Sequence, residues 1–319
     1  MFTFMIRRLL QTIPVIIGVT ILVFSLMHLI PGDPAQIMAG ESAPAHQVDA
    51  IRDRLGLNEP LPVQYGKYVS NLVQGDLGTS IRNGKSVSKE IGARFWVTVE
   101  LAVYSTILSI FLGLIAGVVS AVRQYSFADV SLMIIALFGL SMPNFWMGLM
   151  LIKWFAIGID VPSWIPFIES TNWFKPSGWG SFSQVVLPVI TLGTGGAAII
   201  ARMTRSSLLE VMNEDYIRTA RAKGAKERVV IYRHALKNAL IPVVTVVGLQ
   251  FGGLLGGTVL TETVFAINGM GSLIIDNIQA RDFPIVQGTI LVVSLLFVLV
   301  NLIVDISYHF LNKRIDLNG

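Results

Sequence analysis

The chain contains no cysteine, which excludes disulfides, thiol catalysis and iron–sulfur or zinc–thiolate sites. Histidine is scarce too. His28, His46, His234 and His309 share no ligand spacing, so no metal site is expected. Only 14% of residues are charged, where a soluble domain carries roughly a quarter. No paired carboxylates fall within an apolar segment. What fills the chain instead is 53% hydrophobic residues, bunched into long runs, the pattern of an integral membrane protein. The net charge of +4 is modest. Its basic surplus gathers in segments flanking the runs, so it reads as membrane topology, and no nucleic-acid partner is expected.

A spanning helix needs about twenty apolar residues. Six candidates lie at about 9–30, 97–122, 130–157, 185–203, 240–262 and 285–311. An even number puts both ends on one side. Arg7 and Arg8 precede the first span, and Lys313 and Arg314 follow the last, which predicts cytoplasmic termini. The turn at Arg123 to Asp129 and a long basic loop then fall inside as well. The first apolar run is longer than the core of a cleaved signal, so it reads as a retained span. The chain divides into an N-terminus with the first span (1–30), an extracytoplasmic subdomain (31–95), a transmembrane core (96–311) with a cytoplasmic loop at about 204–239, and a tail (312–319).

The subdomain opens with the turn Pro31-Gly32-Asp33-Pro34. A helix is expected near Gln47 to Leu55, a break at Pro60 and Pro62, and a turn at Gly75-Asp76-Leu77-Gly78. A second outer segment, about 158–184, carries Trp164, Trp173 and Trp179, which suit a headgroup interface. A third, about 263–284, contains Asn268-Gly269-Met270-Gly271 and an amphipathic stretch after it.

Several spans are more than lipid anchors. Pro143 interrupts the third. Gly248, Gly252 and Gly256 recur at four-residue spacing in the fifth, and Gly113 with Gly117 in the second. Such ridges let helix backbones approach closely. Two readings stay open: packing within the chain, or contact with a second membrane subunit or a pore. Glu100 and Lys153 lie near outer helix ends, where they reach water or a local partner; Asp305 is expected to pair with a basic residue at the inner end. Gly84-Lys85-Ser86 mimics a phosphate loop, but its earlier glycine is out of register. Gly193-Thr194-Gly195-Gly196 sits inside a span, and Gly139-Leu140-Ser141-Met142 meets Pro143 where a hydrolase elbow needs glycine.

The basic loop is the most informative segment. Arg202, Arg205, Arg218, Arg221, Lys223, Lys226, Arg228, Arg233 and Lys237 lie in or beside it. Asn213 is the expected N-cap of a helix over Tyr216 to Lys223, with Glu214 and Asp215 complementing its dipole and Gly224 ending it. A second helix runs from Lys226 towards Pro242 and into the fifth span. Thr219, Ala220 and Ala222 keep part of the first helix thin enough to seat in a groove. On these residues alone, a docking element and a plain topology signal stand level.

Thr219-Ala220 followed by Gly224 resembles the Glu-Ala-Ala…Gly loop of permease subunits of bacterial binding-protein-dependent ABC importers. More narrowly, YIRTARAKGA followed by RHALKNALIPVVT is similar to the dipeptide/oligopeptide/nickel branch. RRLLQTIPVIIGVTILVFSLMHLIPGDP, RLGLNEPLPVQY, GDLGTSI and TETVFAINGMG…ARDFPIVQG extend the likeness to that branch's first permease subunit. The family's glutamate and first alanine are Arg218 and Thr219 here, as is usual in the branch, and its later proline is offset at Pro242.

The resemblance implies an all-α permease with six transmembrane helices and an extracytoplasmic subdomain between the first two. It implies a second homologous permease, two cytoplasmic ATPases, an extracytoplasmic substrate-binding protein and surrounding membrane lipid. The chain itself would bind no cofactor and catalyse nothing; ATP and magnesium would be held by the ATPases. Docking would fall to Glu214, Asp215, Tyr216, Arg218, Thr219, Ala220, Arg221, Ala222 and Gly224. Helix packing or the pore would fall to Gly248, Gly252, Gly256 and Pro143. The implied cargo is a di- or oligopeptide, with nickel chelates, glutathione or another peptide-like solute as alternatives. An ion-coupled secondary transporter would call for midplane charges and an internal repeat, and an intramembrane enzyme for a nucleophile–base pair. Neither pattern is evident.

Overall fold

A computed structural model describes residues 2–29, 33–40, 42–157 and 173–311. Pro31, Gly32, Trp164, Lys313 and Arg314, named above, lie outside them. In chain order the helices are α1 (Phe2–Leu29), α2 (Pro34–Ala39), α3 (Ala45–Leu55), α4 (Leu61–Val73), α5 (Val87–Val122), α6 (Phe127–Ser141) and α7 (Asn144–Ile152), which continues as a π turn over Lys153–Ile157. Then come α8 (Phe182–Met212), α9 (Asp215–Ala222) and the single turn α10 (Glu227–Val229), followed by a π stretch over Val230–Ala235. That stretch enters α11 (Leu236–Gly257), and α12 (Val259–Val264), α13 (Met270–Gln279) and α14 (Phe283–Leu311) complete the chain. Among the described residues β pairing is confined to one isolated bridge, Thr79 with Ser86.

Five helical stretches are long and apolar enough to cross a membrane, and α6 with α7 makes a sixth if the bent pair is one span. The third span is therefore not the single interrupted helix expected over 130–157. It bends by 100° between Ser141 and Asn144, because Pro143 lacks an N–H and cannot continue the α6 ladder. The second span also differs from expectation. Its helix starts at Val87, and at 1.5 Å per residue its 36 residues reach about 54 Å, well beyond a 30 Å hydrocarbon layer. The fifth begins at Glu227 and reaches α11 through the π stretch.

The chain forms two compact units, Met1–Thr98 with Asn268–Val298, and Val99–Ile267 with Leu299–Gly319. In the first, α3 ends at Gly56, whose φ of 69° is left-handed, with Leu57 N–H donating to the Arg52 carbonyl at 3.0 Å. Pro60 and Pro62 do more than break that helix: they sit at the N-cap and first turn of α4, where proline fits. Val87, Ile91, Met270, Leu273 and Ile285 form the buried core. A Cβ on Gly288 would lie 2.5 Å from Val87 Cγ1. The Gly84-Lys85-Ser86 segment is the far side of a tight turn in which Ser80 N–H donates to the Lys85 carbonyl at 2.8 Å. Buried Asp282 closes that turn, accepting from the Ser80 hydroxyl and from the backbone N–H of Ile81 at 3.2 Å.

In the second unit, α8 packs against α6, α7 and α11. Gly113 and Gly117 of α5 face α8 with no room for side chains. A Cβ on Gly113 would lie 2.6 Å from Ile200 Cβ, and one on Gly117 2.6 Å from the Ala201 carbonyl oxygen. This ridge packs within the chain. Gly248 of α11 meets Val304 of α14 just as closely. Gly252 is buried, whereas Gly256 is exposed.

Candidate functional site

Asn213 does not open the loop helix. It is the C-cap of α8, its N–H bonded to the Glu210 and Val211 carbonyls, because the apolar periodicity of α8 runs on to Met212. The N-cap of α9 is Glu214, in extended conformation and with no side-chain cap bond. The helix is short and strongly two-sided. Ile217 is fully buried against Val118, Ala121, Leu208, Val230, Ala235 and Ala239, and Ala220 with Ala225 packs on the same cluster. Glu214, Asp215, Tyr216, Arg218, Thr219, Arg221, Ala222 and Gly224 are exposed.

Gly224 ends the helix with φ +79°. Its N–H donates to Arg221 O at 2.9 Å, and Ala225 N–H reaches back to Ala220 O at 3.2 Å. These are the two bonds of a Schellman closure, with the Ala220–Ala225 pair supplying its apolar contact. Ala220 is thus half-buried and packs on the chain's own core, where the sequence reading seats it against a partner; its neighbours Thr219, Arg221 and Ala222 are exposed. The Arg221 guanidinium donates to both Glu227 oxygens, at 3.2 and 2.7 Å, tying α9 to the next turn. That bonding raises the Arg221 pKa above its ordinary value. The Arg218–Asp215 pair at 3.4 Å is highly exposed and contributes little. Tyr216 is held by Asn238, whose amide donates to its hydroxyl at 2.7 Å.

Replacing Gly224 with valine should cost about 1–2 kcal/mol locally, since the left-handed conformation penalises a side chain while nothing lies near the added atoms. Hydrogen exchange at Gly224 and Ala225 in the purified chain should accelerate. Unchanged exchange there would refute the closure argument.

The sequence reading missed a buried acid next to this loop. Asp129, near the start of α6, is 3% exposed. It accepts from Ser120, from Tyr125 N–H at 2.9 Å, and from Arg205 Nε and Nη2 at 2.7 and 2.8 Å. The pair joins the α5–α6 turn to α8, the helix that leads into α9. The one sequence signal was Arg205 itself, a cation within the helix that carries the fourth span. Glu100, by contrast, has the expected local partner, the Trp179 indole N–H at 3.0 Å.

Where α6 breaks, a cavity of about 410 Å³ opens between α6–α7, α8 and α11. Pro143 is on its wall, with glycines from all three elements and the amides of Asn144 and Gln250. A Cβ on Gly196 would strike the Ser109 hydroxyl and lie 2.7 Å from Gln250 Oε1, so glycine there brings α5, α8 and α11 together. Gly248 and Gly252 are not among the cavity's lining residues.

Apolar helices of spanning length, one bent around a cavity, with a charged two-sided helix between two of them, define a multi-pass membrane transport protein. Two family models cover the chain. Residues 109–317 match the binding-protein-dependent transport system inner membrane component, and residues 1–102 its N-terminal region. The chain belongs to that family. It is 49% identical to the dipeptide transport system permease protein DppB of Alkalihalophilus pseudofirmus and 42% identical to the glutathione transport system permease protein GsiC of Escherichia coli K12. Each comparison covers 99% of both chains. Among solved structures it resembles an inward-facing MetNI methionine ABC transporter, with TM-score 0.56 and 19% identity over 70% of this chain and 96% of that one. At that identity the likeness speaks to the fold alone.

Proposed function

We propose that this chain is one of two permease subunits of an ATP-driven importer of di- or oligopeptides. The observation that carries the cargo class is the 49% identity to a dipeptide permease along the whole chain. The 42% identity to a glutathione permease favours a second reading, import of glutathione, itself a small peptide. The partners are a sister permease, two cytoplasmic ATPases that hold ATP and magnesium, and an extracytoplasmic binding protein. The chain contributes no catalysis of its own. The exposed side of α9, from Glu214 to Ala222, grips an ATPase, and ATPase closure moves α8 and α11 through the buried side. Both termini face the cytoplasm.

Purification in mild detergent with mass spectrometry of bound subunits, then uptake of labelled dipeptide and glutathione in vesicles with the binding protein, tests this. A sister permease, two ATPases and ATP-dependent peptide uptake are expected. A stable homomer that transports without ATPases would overturn it. In the same vesicles, Gly224→Val should lower peptide-stimulated ATP hydrolysis severalfold with normal membrane abundance; undiminished stimulation would leave α9 a topology signal only.

The orientation has its own test, made easy by the absence of cysteine. Ser88→Cys, exposed at the start of α5, should react with a membrane-impermeant thiol reagent in intact cells or spheroplasts. Lys223→Cys should react only after permeabilisation. The reverse pattern would invert the topology.

A further inference from the structure

We infer that the cavity at the α6–α7 break is a peptide-amide subsite, with Gln250 and Asn144 as the side chains that engage the passing solute's main chain. This rests on the peptide-import reading above and deepens it. Broken helices within a membrane are tolerated where they line a cavity or are buried in protein. Here Pro143 stops α6, and α7 starts with no side-chain cap bond, so backbone groups at the break are left for another partner. The Gln250 Nε2 amide is buried with no hydrogen-bond partner. A buried donor left unpaired is costly, and the residue that carries it lines a space large enough for a ligand.

The chemistry of the wall selects the ligand class. None of the residues lining it is charged, so a metal ion or a phosphate meets no counter-charge. Two carboxamides remain, each both donor and acceptor, the complement of a peptide group. The rest is glycine and aliphatic surface. A Cβ on Gly195 would come within 3.5 Å of Asn144 Oδ1, and one on Gly253 would meet nothing. A wall of this kind grips the main chain and leaves side chains little opposed, which suits a carrier of peptides of differing sequence.

The test uses a cysteine reporter in the assembled transporter with its binding protein. Gly253 is exposed with open space at its Cβ. Gly253→Cys, with Leu254→Cys as a second reporter, is alkylated with N-ethylmaleimide, read on this chain by mass spectrometry, with and without a neutral dipeptide such as Ala-Ala. Uptake of the same dipeptide is measured in parallel. The peptide should slow alkylation. Gln250→Leu and Gln250→Met, which keep bulk and remove the amide, should raise the half-protecting peptide concentration about tenfold, and Asn144→Ala should raise it less. Each variant's protection is read against its own alkylation rate without peptide. If the dipeptide is taken up yet gives no protection, or protects both Gln250 variants as well as the parent, the subsite is refuted and the import reading stands. If no peptide is taken up by the parent, the import reading fails and the subsite with it.

Discussion

Asp129→Ala should be among the most damaging single substitutions in this chain. The carboxylate is buried and fully bonded. Its removal strands the Arg205 guanidinium, whose side chain is 25% exposed. Removing one member of a buried pair costs about 3–5 kcal/mol, and partial access of Arg205 to solvent places this case near the lower figure. A second cost falls on the turn. Tyr125 has φ +61°, an uncommon conformation for a non-glycine residue, and its N–H bond to Asp129 helps hold it there. Thermal unfolding of the purified chain should shift down markedly for Asp129→Ala and Arg205→Ala alike. The double substitution should cost clearly less than the sum, because the second change removes a charge the first left unpaired. Additive losses, or a stable Asp129→Ala chain, would show that the pair contributes nothing.

Gly117→Leu should be comparably severe for a different reason. Even its Cβ would sit 2.6 Å from a backbone carbonyl and from Thr204 Cβ, neither of which is a flexible chain end. Overpacking by a methylene or two already costs about 1–3 kcal/mol, and leucine adds several heavy atoms where two helix backbones touch. Membrane abundance of the folded chain, read by size-exclusion of detergent extracts, should fall several-fold. Gly18→Leu in α1, where a Cβ meets nothing and the residue is exposed, is the matched control and should be tolerated. Equal abundance of the two variants would remove the close-packing argument.

Much of this arrangement can be read before any coordinates. Long apolar runs mark the spans, since a hydrocarbon layer demands them, and flanking arginines mark the expected inner side. Gly224 marks a helix stop because left-handed backbone favours glycine. Three things were hidden. Pro143 was visible as an interruption, yet a proline in a span gives kinks of many sizes, and nothing local to it fixes a bend of 100°. Asp129 read as the edge of a polar turn, because its partner Arg205 is distant in sequence and only folding unites them. Ala220 read as an outward-facing small residue, since a short helix can be rotated either way until Ile217 is seen to fill the core. The four-residue glycine rows signalled close approach, but spacing alone cannot name the surface approached.

The closure at Gly224 has a thermodynamic consequence. A loop that must fold as it is gripped loses conformational entropy at that moment and weakens the grip. Here α9 is shaped beforehand by Ile217, by the Ala220–Ala225 contact and by the Arg221–Glu227 bridge. A partner that takes hold of its outer side meets a preorganised surface, so little of the binding energy is consumed in ordering. A rigid handle also transmits displacement instead of absorbing it. In the docking role proposed above, loosening α9 should therefore weaken the ATPase's hold and blunt the transmitted motion together, even with every residue on the gripped side unchanged.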